Sequence, residues 1–167
     1  NGIYSFIDTF SASQKSDTDF ALLRQWNLKR VYIGVETGSV ELLHFLRKPG
    51  TPELMWETVN TIKAGGVQVG IILLIGVGGK AYFDQHIQDT IQLVDKMNLS
   101  RGDLIYLSEL VGNLNLEYFQ NTAKANIEPL TPTQMKSQTQ ALKTGFQSLG
   151  KKNAPQVSTY NIREFIY

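Results

Sequence analysis

Four short β-rich apolar runs, each followed by a stretch with helical spacing, constrain this chain more than any other feature. They begin near residues 4, 31, 67 and 103. Intervals of roughly thirty to forty residues are those of successive βα units, which pair their strands in parallel. In the second run Val31, Ile33 and Val35 alternate with smaller or polar residues and lead into Glu36, Thr37, Gly38 and Ser39. This is a buried strand ending in a carboxylate, with Ser39 placed to cap a helix over Val40 to Arg47. In the third, Val67 to Ile75 is apolar enough to be covered on both faces.

The connecting segments carry their own punctuation. Ser16 or Asp17 caps a helix reaching Trp26, with Phe20 and Leu23 on its apolar side. Thr51-Pro52-Glu53 supplies a cap, an N1 proline and a first-turn acid for a helix ending at Gly65-Gly66. Phe83, Ile87, Ile91 and Val94 mark a helix ending near Asn98, and Thr131-Pro132 opens a last one over Met135, Leu142, Phe146 and Leu149. Between them, Val111 to Leu130 reads as a long surface excursion with a short helix around Leu116 to Thr122. The aromatic, β-rich tail from Gln156 to Tyr167 is expected to dock as a strand or packed arm. The 167 residues suffice for one domain, 1–167, of α/β class.

Sixteen basic and fifteen acidic residues leave a net charge of +1, which nominates neither nucleic acid nor an anionic membrane as partner. The longest apolar run, Val67 to Val77, is about half a membrane span. Nothing at the amino end reads as a secretion signal, and the cysteine count is zero, so a cytoplasmic protein without disulfides or thiolate chemistry of its own is expected.

With all strands parallel, their carboxyl ends present Asp8, then Glu36 with Thr37 and Gly38, then Gly76 to Gly79, then Ser108 and Glu109 on one edge. Open and closed α/β sheets bind ligands at that edge. Carboxylates there can hold hydroxyl or ammonium groups, and a glycine loop lets backbone amides approach a ligand. The same residue types also terminate strands for purely structural reasons. Gly76-Val77-Gly78-Gly79-Lys80-Ala81 formally fits a dinucleotide fingerprint, but no acidic residue ends the next strand at the required distance, and a tight turn is the better reading. His44 and His86 have no second histidine at ligand spacing and read as surface or packing residues. Gly38-Ser39 lacks the nucleophile-elbow pattern of a serine hydrolase.

Arg30-Val31-Tyr32-Ile33-Gly34-Val35-Glu36-Thr37-Gly38-Ser39, followed by Leu42-Leu43 and Arg47-Lys48-Pro49-Gly50, resembles the fourth barrel strand and helix of radical SAM enzymes. The branch containing oxygen-independent coproporphyrinogen oxidase is the most similar. Gly65-Gly66-Val67-Gln68-Val69 through Leu74-Ile75-Gly76-Val77-Gly78-Gly79, with His86 and Thr90, resembles the fifth strand and helix. Tyr4 to Asp8 would then be the third strand and Asp103 to Ser108 the sixth. The resemblance implies part of a (β/α)6 partial TIM barrel. In that family the barrel holds a 4Fe-4S cluster and S-adenosylmethionine, which the cluster cleaves reductively to a 5′-deoxyadenosyl radical.

It further implies that Glu36 and Asp8 contact S-adenosylmethionine, that Lys48 pairs with its methionine carboxylate, and that backbone near Gly76 and Ser108 lines the adenosine. The three-cysteine motif and the glycine-glycine-glutamate segment of the first two strands are absent, and Ile72 stands where some members carry an acid. The chain is therefore expected to be the carboxyl-terminal part of such a core, with neither cluster nor cofactor bound by itself. Its first strand would have a free edge, inviting a homodimer or coverage by the tail. A non-catalytic α/β nucleotide-binding module is the alternative that uses the same edge.

Overall fold

The computed structural model of the protein describes residues 2–110, 116–151 and 153–160. Five strands, β1 (Ile3–Phe6), β2 (Leu28–Glu36), β3 (Gln68–Ile75), β4 (Leu104–Glu109) and β5 (Gln156–Tyr160), form one sheet in the order β1-β2-β3-β4-β5. Every neighbouring pair is parallel. A sheet whose spatial order equals its sequence order, with helices between the strands, is an arc of a βα barrel. The α/β class and parallel pairing expected from the spacing, and the partial barrel implied by the resemblance, are all observed.

The helices are α1 (Thr9–Ser13), α2 (Asp17–Gln25), α3 (Val40–Phe45), α4 (Pro52–Ala64), α5 (Phe83–Lys96), α6 (Leu116–Lys124) and α7 (Pro132–Ser148). Their starts obey the capping chemistry in the sequence. Ser16 and Asp19 form a capping box for α2, Thr131 and Gln134 one for α7, and Thr51 accepts the Leu54 amide ahead of Pro52. Helix α1 was not expected; Asp8 creates it by capping. Residues 111–115 and the tail beyond Tyr160 lie outside the described residues, so the excursion and the tail are seen only in part.

One face of the sheet is the core. Ile33, Ile71 and Ile105 lie side by side across β2, β3 and β4, with Val35, Leu73 and Leu107 in the next layer. Against them pack Met55, Val59 and Ile62 of α4, Leu93 and Val94 of α5, and Leu142 and Phe146 of α7. Their spacing by three or four puts each set on one helix face. The opposite, concave face carries Arg30, Tyr32, Gly34 and Glu36 of β2, all partly exposed. Phe6, Tyr32 and Tyr106 form a row of tilted ring contacts across it, with centroids 5.3 and 6.1 Å apart.

At the amino end of the strands Asp103 is fully buried. It accepts hydrogen bonds from the amides of Val69 at 2.9 Å and Ser100 at 2.8 Å, and the Lys63 ammonium lies at 2.5 Å. Removing the carboxylate leaves two amides without an acceptor and the Lys63 ammonium with only the Ser100 hydroxyl at 3.2 Å, in a nearly dry site. Asp103→Ala is expected to lower stability by about 3 kcal/mol in urea titrations, with no change in the slope of the transition.

Candidate functional site

At the carboxyl edge, β2 departs from regular pairing. Gly34 faces Ile72 and Glu36 faces Leu73, so one extra residue, Val35, is accommodated by a bulge. Glu36 has φ +68°, and the Thr37 amide donates to the Val35 carbonyl at 2.8 Å. Positive φ with a bond spanning two residues is the rare, strained hand of the γ-turn, costly for a residue with a Cβ. The turn folds the Glu36 carboxylate back over β2. A Cβ on Gly34 would lie 2.2 Å from Glu36 Oε1, so residue 34 has to be glycine for the carboxylate to rest there.

Lys48 comes to this carboxylate from the end of α3. The Lys48 amide donates to the Leu43 carbonyl and the Arg47 amide to that of His44, with Arg47 at φ +51°. This is a Schellman motif with arginine in the position usually given to glycine. It aims Lys48 Nζ at Glu36 Oε1, 2.9 Å away, with side chains 25% and 18% exposed. Two of the residues singled out in the sequence are thus brought into direct contact. Arg47 pairs outward with Glu117 of α6 at 2.7 Å.

Asp8 stands on the same edge but is occupied locally. Its Oδ1 accepts the Ser11 amide at 2.8 Å and its Oδ2 the Ser11 hydroxyl at 2.6 Å, capping α1. The hydroxyl first and the amide second hold its carboxyl below the usual range. Ser108 is buried and pairs with Leu74, two strands from Glu36, or about 10 Å across the sheet. Gly76 follows β3 at φ +93°.

The loop after β3 spends its amides internally. Gly76 donates to Gln138 Oε1 at 2.8 Å, Gly78 to the Tyr118 hydroxyl at 2.6 Å, Gly79 to the Gly76 carbonyl at 3.3 Å and Lys80 to the Glu128 carbonyl at 2.9 Å. The Lys80 ammonium pairs with the Glu128 carboxylate and lowers its pKa. Burial raises that of Tyr118, with the Gly78 amide opposing. A phosphate cradle needs free amides, so the formal fingerprint is here a self-capped turn.

The turn after Glu36 is tied to α5 by residues the sequence reading did not combine. Thr37 Oγ1 lies 2.9 Å from His86 Nδ1 and accepts the Ser39 amide at 3.1 Å, while Thr90 Oγ1 accepts the Gly38 amide at 3.1 Å. Ser39 occupies the N-cap of α3 as expected, but its hydroxyl donates to Glu41 instead of accepting a helix amide. A Cβ on Gly38 would sit 2.2 Å from the Asp89 carbonyl oxygen, so the turn lies backbone against backbone on α5. The available signal was His86 and Thr90, four apart on a helix face that is otherwise apolar; Gln138 between Met135 and Leu142 is a similar sign. His44, by contrast, is exposed.

His86 is fully buried, and burial pushes its pKa down to about 4, against a smaller upward pull from the Leu74 carbonyl. Between pH 4 and 6.5 the unfolded chain binds a proton that the folded one refuses. Stability contributed by neutral His86 is therefore complete above about pH 6.5 and falls with pH, by about 1.4 kcal/mol per unit. Denaturant titrations are expected to show about 2 kcal/mol lost between pH 6.5 and 5, and a His86→Gln variant is expected to lose that part of the slope.

No family model matches the chain, and no curated protein is similar to it in sequence. Solved structures do match. Coproporphyrinogen III oxidase from Escherichia coli, a radical SAM enzyme, superposes with a TM-score of 0.65 at 15% identity, over 89% of this chain and 32% of that one. The archaeal Elp3 of Methanocaldococcus infernus, with an amino-terminal deletion, gives a TM-score of 0.65 at 11% identity over 95% and 34%. The chain spans about a third of the length of these proteins. No helix of the described residues is long and apolar enough to cross a membrane. The agreement between these superpositions and the residue pattern of the second and third strands is one of fold: the chain has the fold of the radical SAM barrel.

Proposed function

We propose that this chain forms the adenosine side of an S-adenosylmethionine site, and reaches the amino-acid end of that cofactor through Glu36 and Lys48, in a radical SAM enzyme of the Fe–S oxidoreductase type. The observation that carries the reading is the Glu36–Lys48 pair, held by a strained γ-turn at the carboxyl edge of a parallel sheet. The amino-acid end of S-adenosylmethionine offers an ammonium and a carboxylate, and a carboxylate–ammonium pair with moderate exposure can exchange partners with such a zwitterion at little electrostatic cost. Glu36 and Lys48 fit that end of the cofactor, and the strand ends at Gly76 and Ser108 fit its uncharged part. Asp8 keeps unused lone pairs on both oxygens while capping α1. When bound, the cofactor supplies a cleavable carbon–sulfur bond.

A 4Fe-4S cluster does not fit these residues. The chain has no cysteine, and no group of three or more candidate ligands occurs among the described residues. Cluster thiolates would come from polypeptide outside this segment, and the segment alone is expected to be inactive. In the full-length, cluster-loaded protein, Glu36→Gln keeps the shape and removes the charge. It is expected to weaken S-adenosylmethionine binding by about 1.5–3 kcal/mol in calorimetry. Unchanged affinity in a variant with an unaltered melting temperature would reduce Glu36 to a strand-end residue.

The same reading extends to the edge of the sheet. The tail strand β5 pairs with β4 and so covers the opposite side; among the described residues nothing pairs with the outer side of β1. Ile3, Tyr4 and Phe6 are 52, 57 and 72% exposed there, without a charge or proline to discourage pairing. The isolated chain is expected to sediment as a homodimer through this edge, and Phe6→Lys to return it to a monomer.

A further inference from the structure

The turn that carries Glu36 is more elaborate than a connection between β2 and α3 requires. Glycine tolerates positive φ without penalty, and glycines stand at positions 34 and 38 of this turn, yet the left-handed position itself is held by glutamate at φ +68°. A side chain kept in a sparsely populated conformation costs roughly 1–3 kcal/mol and persists where its surroundings over-determine it. Here the surroundings are three polar side chains at the buried interface with α5. His86 and Thr37 are fully buried, as is Thr90, and together they hold the hydroxyl of residue 37 and the amides of residues 38 and 39.

None of these bonds touches the Glu36 side chain, and none closes the helix α3 in the usual way, since Ser39 makes no side-chain cap. Their common effect is to fix the backbone immediately after Glu36 against a rigid helix of fourteen residues. Thr37 Oγ1 accepts the Ser39 amide and shares a hydrogen bond with His86 Nδ1, so one hydroxyl joins the turn to α5. Apolar residues would leave the amides of Gly38 and Ser39 without acceptors; because the acceptors are side chains held at the α5 interface, satisfying these amides also fixes the direction of the turn.

We propose that Thr37, His86 and Thr90 form a buried polar clamp through which α5 holds the γ-turn and aims the Glu36 carboxylate, making them positioning residues of the site. The inference rests on the assignment of Glu36 to ligand binding, and it adds that the direction of this carboxylate is set from α5 rather than from β2. A residue that acts through Glu36 has to lose its effect once Glu36 no longer carries a charge. A residue that merely holds the fold does not.

The test is a double-mutant cycle in the full-length, cluster-loaded protein, with S-adenosylmethionine affinity as one readout and hydrogen–deuterium exchange of residues 36–39 as the other. Thr37→Val keeps the side-chain volume and removes the hydroxyl. It is expected to weaken binding about tenfold in the Glu36 protein and less than about twofold in Glu36→Gln, with Thr37→Ser restoring affinity. The amides of Gly38 and Ser39 are expected to exchange at least about tenfold faster in Thr37→Val, while the middle of β2 keeps its protection. Thr90→Val attacks the clamp from the opposite element and carries the same expectations should Thr37→Val fail to fold. Equal weakening in both backgrounds, or unaltered exchange at residues 38 and 39, would overturn the clamp. If Glu36→Gln alone leaves affinity unchanged, the assignment of Glu36 fails instead, and the exchange measurement still decides whether the clamp exists.

Discussion

The close approach of the Gly38 backbone to α5 is the contact on which the carboxyl edge of this protein depends. At that distance no side chain can intervene, so the amides of the turn must find acceptors close by: Thr90 of α5 takes that of Gly38, and Thr37, itself bonded to His86 of α5, takes that of Ser39. The helix that covers the core face of β3 therefore also sets the geometry of the end of β2. Glu36 inherits its direction from this arrangement, and Lys48 reaches it because α3, which begins immediately after the turn, ends in a Schellman motif two turns later. Displacing the turn would move both members of the pair.

The two ends of the sheet are built on different terms. At the amino end, Asp103 is fully buried, fully partnered and tied to Lys63, so its charge serves the packing of β3 against β4. At the carboxyl edge the Glu36–Lys48 pair retains contact with solvent and makes one bond. A charge pair that has kept its access to water can trade partners; one that is sealed cannot, because the remaining ion would be stranded. This division, stability at one end and exchangeable polar groups at the other, is how βα barrels carry chemistry without unfolding for it.

Much of this was legible in the residues. The β-rich runs and their spacing specify parallel βα units, because a strand covered on both faces must be apolar along its length and needs a helix-length crossover to its neighbour. Thr51-Pro52 and Thr131-Pro132 announce their helices through local hydrogen bonds that need no tertiary partner. Helix α1 was missed because five residues are too few to show a period, and its cap, Asp8, had been assigned to the strand end. The formal fingerprint at residues 76–81 could be doubted from the sequence, but only the side chains of Gln138 and Tyr118, from distant segments, reveal that its amides are already used.

What the sequence by itself determined is the class of the fold, the identity of its strands and the edge on which Glu36, Gly76 and Ser108 would gather, since periodicity and capping are local properties of the chain. Tertiary structure alone decided which of these groups meet. The pairing of Glu36 with Lys48 and the holding of the γ-turn by His86 and Thr90 arise between segments up to about fifty residues apart. Such contacts depend on the register of packed elements, and no local pattern encodes a register.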